Sequence, residues 1–104
     1  MDFIFEHFKH LRETHKDLYE AYDEYGKQVY NAGPLDDKTK ALIKVAVSST
    51  AKQPYAIKSQ IRKARRQGCS WEEIEHAILL IAPTVGFPTM MEALISLREE
   101  LGEL

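Results

Sequence analysis

The sequence predicts an all-α fold, a bundle of about five to six helices that assembles with copies of itself. Three observations predict it. Apolar residues recur at spacings of three and four, helix start and stop residues punctuate the chain at intervals, and no segment alternates with period two long enough to form a strand. The 104 residues leave room for one domain. We read residues 1–104 as that domain, with 1–33 as an N-terminal helical arm. A chain of this size buries only about two thirds of the surface it exposes when unfolded, so self-association would supply apolar burial that the monomer lacks.

The arm carries a regular seam. Ile4, Phe8, Leu11, His15, Leu18, Tyr22, Tyr25 and Val29 alternate in steps of four and three, which keeps one stripe facing a partner along the whole segment. It is one continuous helix or two with a bend, and its stripe calls for a neighbouring helix from this chain or another. Asn31-Ala32-Gly33-Pro34 stops it. Asp36 is suited to cap the next helix, with Leu42, Val45, Ala46 and Ser49 on the buried face. That helix fails near Ala51, because Pro54 disfavours an α conformation at Gln53.

Pro54 fits the first turn of a third helix, which runs to Gln67 with Ile57, Ile61 and Ala64 inward and Gly68 closing it. Ser70-Trp71-Glu72-Glu73 spells a capping box, with Cys69 and Ile74 placed as a hydrophobic staple across it. The helix that follows carries Ile74, Ala77, Ile78 and Ile81. Leu79 and Leu80 make it apolar almost all round, the pattern of a helix buried on several sides. Pro83 to Pro88 breaks it. A last helix then buries Met90, Met91, Leu94, Leu97 and Leu101 and ends at Gly102.

Charge is segregated along the chain. The net charge of −2 divides into −5 over residues 1–37, +9 over 38–66 and −6 over 67–104. The basic middle either pairs with the acidic outer helices or forms a pocket that attracts an anion. Nucleic-acid domains tend to be basic overall, and a sequence pI near 6.1 speaks against that class. No apolar run approaches the roughly 20 residues of a membrane span. The opening Met-Asp-Phe-Ile-Phe-Glu lacks the basic region of a secretory signal, so a cytoplasmic address is the simplest expectation. The single cysteine, Cys69, excludes an internal disulfide and any paired-cysteine chemistry, and its staple position marks it as a packing residue. His7 and His10 share a face, and Glu73 and His76 form an E-x-x-H fragment. Without a second copy of that fragment no metal site is expected.

The order of segments resembles the carboxymuconolactone decarboxylase and alkylhydroperoxidase D-like family. The carrying residues are a capped basic helix, then Gly68-Cys69-Ser70-Trp71-Glu72-Glu73-Ile74, an apolar helix, Gly86-Phe87-Pro88 and a closing helix with Ala93-Leu94. The likeness covers roughly residues 35–101. It implies an all-α bundle assembled as a homotrimer or homohexamer. Peroxidase members of the family carry two cysteines and a histidine in a C-x-x-C-x-x-x-H motif. By resemblance these positions fall on Gln53, Ala56 and Gln60, and the acidic relay position falls near Ala41. A thiol-disulfide cycle is therefore chemically unavailable.

Two classes of function remain. One is a non-catalytic oligomeric protein that keeps the family's site as a place to bind a small anionic metabolite. The other is a cofactor-free lyase acting on a small anionic lactone or organic acid, which needs a proton donor. The expected pocket consists of Gln53, Tyr55, Lys58 and Gln60, with Phe87 and Met90 as apolar wall, and Tyr55 and Lys58 as candidate proton donors. The missing cysteine pair and histidine favour the binding protein. Neither class requires a cofactor. A peroxidase acting through Cys69 alone is the remaining and weakest reading.

Overall fold

The computed structural model describes the backbone of residues 3–104 and the side chains of residues 5–104; the expected seam residue Ile4 lies outside the described side chains. Among the described residues all regular structure is helical: α1 (Phe3–Thr14), α2 (Lys16–Tyr30), α3 (Asp37–Thr50), α4 (Pro54–Arg66), α5 (Trp71–Leu79), α6 (Ala82–Val85) and α7 (Phe87–Glu100). The chain divides into two compact units, Met1–Pro34 and Leu35–Leu104.

The first unit is two helices with a bend at His15, whose backbone leaves the helical region (φ −137°, ψ 64°). The side chain of Thr14, just before the bend, donates back to the carbonyl of His10 at 2.8 Å, a local bond of the kind that often accompanies helix bends. The seam spacing runs unbroken through this point, so periodicity alone does not reveal the bend. α2 buries none of its residues.

The second unit holds the core. α3 and α4 pack side by side, with α5 and α7 against both. Val45 of α3, Ile57, Ile61 and Ala64 of α4, Ile74 and Ile78 of α5, and Met90, Ala93 and Leu97 of α7 meet in one cluster. Among the described residues no buried side-chain nitrogen or oxygen lacks a hydrogen-bond partner. Burial of the six largest of these side chains, each about 1.5–3 kcal/mol, is the main favourable term of this unit.

The caps explain the boundaries. The Asp36 carboxylate accepts from the N–H of Thr39 at 2.8 Å and starts α3. Ser70 and Glu73 form both bonds of the capping box, at 3.0 and 2.8 Å. α4 ends in a Schellman turn: Gly68 takes φ +90°, its N–H bonds Arg65, and the N–H of Cys69 bonds the carbonyl of Ala64. α3 ends with the same left-handed step on a residue that pays for it sterically, Lys52 at φ +57°.

Three expectations change. Pro83 does not simply break the chain; it sits in the first turn of the short α6, where a missing N–H costs nothing. Leu79 and Leu80 are exposed, so α5 is buried on one face rather than all round. In α7 Met91 is exposed, because the inward stripe is Met90, Ala93 and Leu97, with Thr89 and Ser96 beside it.

Candidate functional site

Four of the six expected site residues lie on α4 or at its start, and two lie on α7. Gln53 caps α4 through its backbone only, and Tyr55 in the first turn is 62% exposed. Lys58 lies on the same helix, but its ammonium donates to Glu99 of α7 at 3.1 Å. Gln60 is half-buried. Phe87 is exposed at the opposite end of α7 from Glu99, twelve residues or about 18 Å along the axis. Met90 is a core residue. Tyr55 and Lys58 thus share a helix.

The basic middle of the chain is tied to its acidic neighbours. Arg62 grips Glu100 with two hydrogen bonds, at 2.8 and 3.1 Å, on a half-buried surface. Arg65 lies over the Trp71 ring at 4.5 Å and donates to the carbonyl of Cys69 at 3.0 Å. Lys38 meets Glu73 at 3.3 Å. These contacts hold α3, α4, α5 and α7 together, and they occupy cations that an anion pocket would need.

A groove of about 520 Å³ opens elsewhere, between α3, α5 and α6. From α3 come Leu42, Ile43, Ala46 and Thr50, one stripe of that helix. Ala77 and Leu80 form the facing wall, and Ile81, Thr84 and Val85 close the end. Its size falls within the range of small-molecule pockets, and its lining is mainly apolar with a few polar groups. None of the six expected residues lines it. The sequence holds only a partial hint of it, Leu80 breaking the one-sided pattern of α5 and Ile43 that of α3.

Two polar groups of the groove have defined chemistry. Glu73 accepts from the N–H of Ser70 and from Lys38, and the backbone bond above all holds its carboxyl below the ordinary value. It remains an anion spent on capping. His76, one turn further on, is the only imidazole among the groove's described residues, and it is exposed. An imidazole can both accept and donate a hydrogen bond. The E-x-x-H fragment therefore reaches the groove. Among the described residues no three histidine, cysteine or carboxylate groups gather as a metal site.

Cys69 is fully buried under the turn between α4 and α5, its thiol 3.7 Å from the carbonyl of Lys38. Burial, reinforced by the nearby Glu73, pushes the thiol pKa up. A nucleophilic cysteine needs the reverse. Among the described residues no helix is long and apolar enough to cross a membrane.

Comparison with known proteins adds lineage to this geometry. Residues 16–99 match the sequence profile of the carboxymuconolactone decarboxylase family. Two relatives are the uncharacterised proteins MJ1511 and MJ0742 of Methanocaldococcus jannaschii. The first is 29% identical over 84% of this chain and 81% of its own length. The second is 28% identical over 88% of this chain and 89% of its own. An uncharacterised protein 4 in the cox locus of Paracoccus denitrificans is 38% identical over 61% of this chain and 57% of its own length.

Proposed function

Since the chain belongs to the carboxymuconolactone decarboxylase family, we propose that it is a homo-oligomeric small-molecule-binding protein of that fold, without thiol redox chemistry. The observation that carries this reading is the open apolar groove between α3, α5 and α6, set against a lone thiol buried in packing. A ligand with an apolar body fits such a lining, and Thr50, Thr84 and His76 supply hydrogen bonds to its polar end. Apolar side chains on the outer faces of the second unit, among them Val47, Met91 and Ile95, supply surface for contact between copies.

The test is occlusion of the groove. Ala46→Trp places an indole in the space above α3, where Ala46 is half-buried. Retention of an apolar fluorescent probe such as anilinonaphthalene sulfonate should fall at least tenfold, with the melting temperature nearly unchanged. Equal retention by both proteins removes the groove as the binding site.

His76 gives a second reading its footing, that of a cofactor-free lyase acting on a small organic acid. In decarboxylation the carboxylate leaves as carbon dioxide, its electron pair passes to the adjacent carbon, and protonated His76 returns a proton there. The Tyr55 and Lys58 route has less support, because Lys58 is committed to Glu99. In this reading His76→Ala abolishes turnover of small lactones or acids and leaves probe binding intact. Turnover that survives His76→Ala but is lost in Tyr55→Phe or Lys58→Ala would return the chemistry to α4.

A further inference from the structure

The helix Lys16–Tyr30 carries an apolar seam of exposed residues. Leu18, Tyr22, Tyr25 and Val29 are 62%, 65%, 68% and 57% exposed. Their 4-3-4 spacing assigns them to the a and d positions of a heptad. The flanking e and g positions are Tyr19, Ala21, Gly26 and Gln28, none of them charged. All six charged residues of the helix fall on b, c and f, the outer face. There they serve one another, Lys27 with Asp23 at 3.1 Å and Lys16 with Glu20 at 4.0 Å.

We propose that this seam pairs with the same seam of a second copy, joining the protein two-fold through its N-terminal arm. The proposal rests on the homo-oligomer reading above and names one of its interfaces. A charge-free seam is self-complementary, since two copies meet without like charges opposed across it. The outer face carries a net −2, which disfavours an anionic membrane surface as the partner.

Area supports a modest contact. An open tyrosine carries about 200 Å², so the four seam residues leave about 450 Å² per helix, or about 900 Å² for the pair. That is just under the roughly 1,000 Å² of a stable specific interface and suits an exchangeable one. A helix of 15 residues is marginal alone in water, so pairing also explains how the arm stays helical.

The experiment uses the full chain. Native mass spectrometry and sedimentation are run on the wild type and on Tyr22→Glu/Tyr25→Glu. The variant should form assemblies of half the wild-type mass, with the melting of the Leu35–Leu104 unit retained. Unchanged mass overturns the pairing while leaving the homo-oligomer reading standing; a monomeric wild type removes both. Because two charges in the seam can also unfold the arm, a second variant asks for a gain. Tyr22→Cys alone, for parallel helices, or mixed with separate Tyr25→Cys chains, for antiparallel ones, should give a covalent dimer under mild oxidation, with no intrachain bond to compete and Cys69 silent because it is buried. The outer-face pair Glu20→Cys/Glu24→Cys should remain single chains. No covalent dimer from the seam variant, or equal yields from both, overturns the proposal; the seam then serves another surface.

Discussion

Lys52 and Gly68 occupy the same structural position at the ends of successive helices, with φ of +57° and +90°. Only glycine takes that conformation without steric cost, about 1–2 kcal/mol for other residues. Nothing lies within 4 Å of a Cβ built on Gly68, so its substitution tests the backbone alone. Lys52→Gly should therefore stabilise by roughly 0.5–1 kcal/mol, and Gly68→Ala should destabilise by about 1 kcal/mol, read by urea unfolding. Gly68 was legible in the sequence because glycine after a helix announces the turn. Lys52 was not, since lysine carries no such signal. Ile61 is fully buried at the centre of the cluster, and Ile61→Ala should cost about 3 kcal/mol by the same measurement.

The helix termini of α3 and α5 set how the protein responds to acid. The carboxyls of Asp36 and Glu73 are held below their ordinary values, chiefly by the N–H groups of Thr39 and Ser70 that they accept from. Because folding lowers these values, the stabilisation is complete above the unfolded-state values near pH 4 and is lost as pH falls through the folded ones. Stability should decline below about pH 4, and the decline should be shallower in Asp36→Asn and Glu73→Gln, as chemical denaturation across pH 2–7 would show. Ser70→Ala should cost about 1 kcal/mol at neutral pH, by loss of the cap. These elements were readable because capping is local, with donor, acceptor and spacing inside four residues. The bend at His15 was not, since the apolar spacing runs through it untouched. α6 was hidden by its own proline, which reads as a stop and acts as a start.

At the scale of the molecule, the all-α class and the family could be read from the order of caps, breakers and apolar stripes, because these features are sequential. The groove could not. It depends on which faces of α3 and α5 are left open after the core is packed, and Ala46, His76 and Leu80 become neighbours only then. Charge segregation pointed to contacts among helices or to an anion pocket. The structure shows Lys58, Arg62 and Lys38 in pairs with Glu99, Glu100 and Glu73. Arg62→Ala should cost about 1 kcal/mol, since the pair with Glu100 is bidentate and only half-screened by solvent.

Native mass spectrometry of gently purified protein shows whether the protein is a homo-oligomer that holds a small molecule in its apolar groove. The expected result is a multi-copy assembly carrying one small molecule per chain, which Ala46→Trp releases without dissolving the assembly. A bare monomer, or a ligand retained equally by Ala46→Trp, would contradict it.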